Sequence, residues 1–274
     1  MTSPLAVDLL TAHLPTLSAM TARADGLDYD LVRLLKYEWA SRPDHAKKLL
    51  EHDRVLTHLR RMGCLPPVTG AISLDIGCAT GRYPAIFAEL GFLAMGWDTS
   101  PQAVALSRYR LHANTNVQID QRDLLNHPPL PNSLSVITCM MGTFNHLQRP
   151  DQERFMALAL QALRPGGAII VSSWNPACTM GDLLQIYTPE EQAAITAGSR
   201  PAAELLDLLL VTGFIDGAVL GAAYAPDRCY DAWLGHMNER NLLALDQDMA
   251  SHLPVSAAQL LVFAGRKPGL SGIV

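Results

Sequence analysis

Two periodicities run through this chain. Short apolar runs bounded by glycine, proline or acidic residues recur at 71–74, 92–98, 117–120, 134–141, 168–174, 216–224 and 259–265, and they read as strands, most of them buried on both faces. Between them, stretches at 83–90, 101–109, 151–163 and 202–210 carry apolar residues at helical spacing. Strand and helix therefore alternate, which predicts an α/β fold with a largely parallel sheet. Ser100-Pro101 supplies a helix cap and first turn, and Pro165-Gly166-Gly167 a helix stop.

Both ends of this alternation carry additions. Leu31, Leu34 and Leu35, then Leu49, Leu50, Leu56 and Leu59 up to Gly63, predict N-terminal helices, the second starting at Pro43. The expected organisation is a helical cap over 1–69 and a sheet domain over 70–274. Residues 227–253 separate the last two strands and are too many for a structureless loop, so they are predicted to form a helical insertion. The tail from Pro268 has little to pack and is expected to be mobile.

The first strand ends in Asp75-Ile76-Gly77-Cys78-Ala79-Thr80-Gly81. Gly77 and Gly81 permit a tight turn that brings backbone close to a ligand, while Asp75 places a carboxylate where a phosphate would be repelled. A nucleoside bearing positive charge suits this turn better than a dinucleotide. Asp98 ends the second strand twenty-one residues after Gly77, where a carboxylate can accept from both hydroxyls of a ribose.

In these residues the chain resembles the class I S-adenosylmethionine-dependent methyltransferases, small-molecule type, with Ala79 standing where many members have a third glycine. Leu163-Arg164-Pro165-Gly166-Gly167 before a hydrophobic strand is a second mark of that family, and the resemblance covers roughly residues 70–176 before resuming near the end. It implies a doubly wound, seven-stranded Rossmann-like sheet closed by an antiparallel pair. It implies S-adenosyl-L-methionine as cofactor, S-adenosyl-L-homocysteine as product, and cofactor contacts from Asp75, Gly77, Cys78, Ala79, Gly81, Asp98, Thr99 and Met140. Asp123-Leu124 matches the pair that holds adenine; the alternative for Asp123 is a plain turn residue.

The segment after the fourth strand, Gly142-Thr143-Phe144-Asn145-His146, falls where ligands bind in open α/β sheets. His146 is the candidate base and Asn145 a candidate substrate contact; a structural role for His146 stands beside the first reading. Asn175, at the end of the fifth strand, and Tyr37, Tyr230 and Trp233, from the two additions, complete the expected acceptor side. Aromatic rings there would exclude water from the transfer, so residues 227–253 read as a lid whose removal should abolish transfer and spare cofactor binding. Five acidic residues against two arginines in that stretch lean towards a neutral or cationic acceptor.

Composition narrows the classes. A net charge of -5 without a basic cluster argues against nucleic acid, and no run is long enough to span a membrane, so a soluble, cytoplasmic monomer or homodimer acting on a small molecule is expected. Five scattered cysteines form no C-x-x-C pair, and His45, His52 and His58 are spaced for a solvated helix face, so no metal site is expected. Two alternatives remain. A protein that binds the cofactor without transferring methyl would show the same residues, and a nicotinamide-dependent oxidoreductase would explain the glycines and Asp98 but lacks the G-x-G-x-x-G spacing.

Overall fold

The computed structural model describes residues 42–178 and 188–269; Tyr37, the first expected helix and the end of the tail lie outside the described residues. Seven strands form one sheet in the order β3-β2-β1-β4-β5-β7-β6. They are β1 (Ile72–Ile76), β2 (Leu93–Asp98), β3 (Val117–Gln121), β4 (Leu134–Cys139), β5 (Leu163–Trp174), β6 (Ile215–Ala222) and β7 (Leu260–Arg266). β1 to β5 pair in parallel, whereas β7 runs antiparallel between β5 and β6. The expected seven-stranded, doubly wound sheet is present, with its strand order reversing between β1 and β4. A crevice opens there, at the carboxyl ends of the strands.

Eight α-helices flank the described sheet: α1 (Arg42–Arg61), α2 (Arg82–Glu89), α3 (Pro101–Leu111), α4 (Arg149–Ala162), α5 (Pro189–Gly198), α6 (Ala202–Thr212), α7 (Asp227–Leu234) and α8 (Glu239–His252). The Ser100-Pro101 signal acts as read, Ser100 capping α3 by accepting from Ala103 N–H with Pro101 in the first turn; Gly213 closes α6 at φ 102°. The Pro165-Gly166-Gly167 stop acts differently. Helix α4 already ends at Ala162, and β5 starts at Leu163 opposite Leu134, because the glycine turn is hydrogen-bonded to Lys267 of the neighbouring strand's extension. Helix α5 went unread, although Thr188-Pro189-Glu190-Glu191 spells a capping box with proline at the first helical position.

Of the histidines expected on a solvated face of α1, His45 is exposed, His52 half-buried and His58 buried. Lys47, Glu51, Arg54 and His58 recur at i, i+4, i+7 and i+11 and all are buried, beside the apolar stripe Ala46, Leu50, Val55, Leu59 and Met62. The carboxyl half of α1 packs on the sheet against Val136, Ile170 and Val262, and its amino half packs with Met141, Trp174, Tyr230 and Leu242. One helix thus spans from the middle of the sheet to the crevice rim. His58 lies inside this packing with Nε2 3.0 Å from the Val262 carbonyl oxygen, which corrects its assignment to solvent.

The 227–253 insertion forms α7 and α8, as the length argument requires. Both are tied to α1 by buried ion pairs, Lys47 to Asp227 and Arg54 to Asp246. Two of the five acidic charges are therefore matched inside the protein, and the leaning towards a cationic acceptor loses most of its basis.

Candidate active site

A small open cavity sits at the carboxyl ends of β1 and β4, lined by the glycine turn from Asp75 to Thr80, by Arg82 and Tyr83 at the start of α2, and by Met140 and Met141. Of the expected cofactor residues it brings together Asp75, Gly77, Cys78, Ala79 and Met140. The turn needs its glycines: a Cβ on Gly77, at φ 71°, would stand 2.3 Å from Thr143 Cγ2, so the turn and the segment after β4 pack without room between them. Ala79 adopts φ 46°, the left-handed conformation that the missing third glycine would take without strain.

Asp98 ends β2 beside this turn. Its Oδ2 accepts from Ala79 N–H at 2.9 Å and its Oδ1 from Ser100 N–H at 2.9 Å, so the carboxylate is held rigidly at the rim. Asp75 is buried on the cavity floor and accepts from the Thr138 hydroxyl at 2.7 Å. Burial pushes its carboxyl up to about 8, with the Thr138 hydrogen bond and Arg82 opposing and the carboxylates of Glu51 and Asp98 adding to the rise. Burial likewise pushes the Cys78 thiol up, which makes it a packing group and no nucleophile.

Asp123 stands just beyond β3 with its carboxylate accepting from Leu125 N–H and the Asn126 side-chain amide, the local turn geometry of an aspartate. Leu124 beside it is buried and Thr99 is exposed, its carbonyl accepting from Gln121.

On the acceptor side the structure redistributes the expected residues. Asn145 is fully buried: its amide donates to Ser173 Oγ and Ser199 Oγ and its carbonyl oxygen accepts from Trp174 N–H. Asn175 is equally enclosed, donating to the Ser256 and Ala258 carbonyls and accepting from Ala177 N–H. Tyr230 lies in the core with its hydroxyl between Ala225 N–H and Asp246. The polar atoms of these three are bonded to neighbouring protein groups, which ties the three side chains into the fold. Trp233 is half-buried with its ring edge-on to Tyr230, His146 is exposed on a 3-10 turn at Thr143–His146, and Tyr37 is outside the described residues.

Sequence reasoning missed Glu51. This buried carboxylate of α1 accepts from Met141 N–H at 2.8 Å, from the Arg82 guanidinium at 3.0 Å and from the Tyr83 hydroxyl at 2.9 Å. No local signal marks it, since a charged stripe at helical spacing is ordinarily the solvated face and its partners Arg82, Tyr83 and Met141 come from elsewhere in the chain. Among the described residues no cluster of His, Cys, Asp and Glu fits a metal, and no helix is long and apolar enough to cross a membrane.

Residues 74–167 match the family described as a methyltransferase domain. They form a class I methyltransferase domain. Ubiquinone biosynthesis O-methyltransferase of Xanthomonas euvesicatoria pv. vesicatoria is 30% identical over 171 residues, covering 60% of this chain and 61% of that one. The enzyme of the same name from Xylella fastidiosa is 31% identical over 115 residues, 40% of this chain and 44% of its own. The chain thus spans about half the length of the curated relatives it matches. Among solved structures, phosphoethanolamine N-methyltransferase 2 of Haemonchus contortus superposes with a TM-score of 0.56 at 19% identity, over 79% of this chain and 52% of that one, which is a likeness of fold. The methyltransferase domain accounts for the sheet as far as Gly167; α1, the insertion helices and the antiparallel pair lie outside the matched residues.

Proposed function

We propose that this protein transfers a methyl group from S-adenosyl-L-methionine to an oxygen of a small-molecule acceptor. The observation that carries the reading is the pairing of an acid-floored, glycine-walled cavity with Asp98 fixed at its rim. Asp75 and Asp98 suit a cationic nucleoside, and backbone at Gly77 approaches closer than any residue with a side chain allows. The relatives named O-methyltransferases support oxygen as the acceptor atom.

Asp98 would take the ribose hydroxyls, Asp123 and Leu124 the adenine, and the Asp75 to Gly81 turn the amino-acid end. The cofactor supplies the methyl on a sulfonium. Displacement from sulfur asks little covalent work of the protein, so its residues act by holding the acceptor oxygen in line and keeping water out. His146, on the turn after β4, is proposed to take the hydroxyl proton as the oxygen attacks. Asn145 beside it fixes that turn through its buried amide.

Incubation with labelled cofactor and a panel of phenols and catechols tests the function: S-adenosyl-L-homocysteine should form with one class of hydroxyl acceptor. Tight cofactor binding with no turnover on hydroxyl, amine or carbon acceptors would favour a binding protein instead. In the active enzyme, His146→Ala should lower kcat about 100-fold with cofactor affinity near normal, and unchanged turnover would leave His146 a surface residue.

Asp75 makes cofactor binding pH-dependent. A cation beside it favours the ionised carboxylate, so binding below about pH 8 should release a proton, and affinity should climb from neutral pH to about 8 and then level. Calorimetry in buffers of different ionisation enthalpy reads that proton directly. A flat profile would mean the sulfonium and ammonium lie away from Asp75.

A further inference from the structure

Glu51 joins three parts of the cavity that are far apart in sequence. It belongs to α1, outside the matched methyltransferase residues, yet its carboxylate reaches the first two residues of α2 and the backbone that follows β4. One oxygen accepts from Met141 N–H and the other from both Arg82 and Tyr83. Met141 sits at φ 51°, a conformation that a residue with a side chain holds only when its surroundings enforce it. Glu51 is completely buried, whereas the Arg82 side chain is 26% exposed and lines the cavity. Its guanidinium also lies over the Tyr83 ring, 4.9 Å from the centroid. Arg82 thus pairs with a buried anion and lies over a ring while it lines the cavity. Across the cavity floor lies Asp75. A cation at the rim and an acid on the floor complement a group that carries a carboxylate and an ammonium together, the amino-acid end of the proposed cofactor.

We propose that Glu51 is a positioning residue of the cofactor site: by clamping Arg82 to the start of the post-β4 segment, it aims the guanidinium that receives the cofactor's carboxylate. This rests on the methyltransferase reading of the cavity. It gives α1 a part in cofactor recognition beyond its packing role, and it gives Arg82 the task of distinguishing ligands that carry an amino-acid end from those that do not.

The probes are S-adenosyl-L-homocysteine and 5′-methylthioadenosine, which share the nucleoside and thioether and differ in the amino-acid end. Calorimetry on the full chain should show the wild type preferring the first. Glu51→Gln, nearly isosteric, should weaken the homocysteine ligand about 10-fold and the methylthio ligand less than about 2-fold, since a lost charged hydrogen bond is felt by the group it oriented. Arg82→Gln should show the same selective loss, and the double variant should be no worse than Arg82→Gln alone, because Glu51 acts through Arg82. Equal weakening of both ligands by Glu51→Gln would make Glu51 a general support of the fold and overturn the proposal, as would unchanged affinity for the homocysteine ligand. Should Glu51→Gln not fold, Arg82→Gln decides: loss of selectivity for the amino-acid end upholds the proposal and its retention overturns it. A wild type that binds neither ligand refutes the cofactor reading itself, an outcome that the control separates from failure of Glu51.

Discussion

Asp246→Ala should lower the unfolding free energy by about 3 kcal/mol, the scale for removing one partner of a buried ion pair. Asp246 is 1% exposed and faces the Arg54 guanidinium, which also donates through Nε to the Gly221 carbonyl at 2.8 Å. On its other side Asp246 receives Tyr224 N–H and the Tyr230 hydroxyl, so a single carboxylate binds α8 to α1, to the end of β6 and to α7. Removing it leaves the Arg54 guanidinium, only 6% exposed, with Asp53 as its remaining acid. Replacing both partners, as in Arg54→Met with Asp246→Leu, should restore much of the loss, because an apolar pair of similar volume needs no desolvation of charge. Urea titrations of the three variants make the comparison. A single variant within about 0.5 kcal/mol of wild type would show that the pair is mere decoration. The same anchoring revises the lid. Excising α7 and α8 would take Asp227 from Lys47 and Asp246 from Arg54 and remove Tyr230 and Leu242 from the core. The shortened chain should therefore fail to fold, and cofactor binding would not survive.

The sheet was legible because each of its signals is local. Short apolar runs, a glycine turn closing the first, and Ser100-Pro101 opening α3 act through backbone conformation and burial of neighbouring residues, and they do so here as read. Asp75, Gly77 and Asp98 were legible for the same reason, since strand ends of one sheet converge once their order is known. What escaped depends on partners distant in sequence. Asn145 and Asn175 look like ligand groups by position, and nothing local shows that Ser199, Ser256 and Ala258 will absorb their hydrogen bonds. His58 was read with His45 and His52 as solvated, and the charges beside it passed without a reading, because charge is ordinarily exposed. Lys47, Glu51 and Arg54 are the exception because Asp227, Arg82 and Asp246 arrive from elsewhere to match them. Helix α5 is a different case: its capping box was local and could have been read from Thr188 and Glu191.

The second large effect expected is loss of stability in mild acid through His52 and His58. Burial lowers both imidazoles from 6.5 to about 4, helped for His52 by Arg82 and for His58 by Arg61 and Arg54, and opposed for His58 by its Val262 hydrogen bond. The native state therefore excludes protons that the unfolded chain binds between pH 6.5 and 4, and stability is full above that window and falls as pH drops through it. A shift of this size is worth about 3 kcal/mol for each histidine, which together rivals the whole stability of an ordinary domain. Asp75 works with the opposite sign. Its raised carboxyl holds a proton in the native state that the unfolded chain releases, so its contribution fades as pH rises towards about 8. Both tendencies act in the wild type, and a variant comparison separates them. His52→Phe keeps an aromatic edge for the Tyr83 ring, 6.4 Å away, and His58→Gln keeps a donor for the Val262 carbonyl. The stability difference between this double variant and wild type should be constant above about pH 7 and should swing in favour of the variant by several kcal/mol between pH 6.5 and 4. Parallel stability curves for the two proteins across that range would mean that both imidazoles reach water in the native state, and that the buried face of α1 opens more readily than its packing indicates.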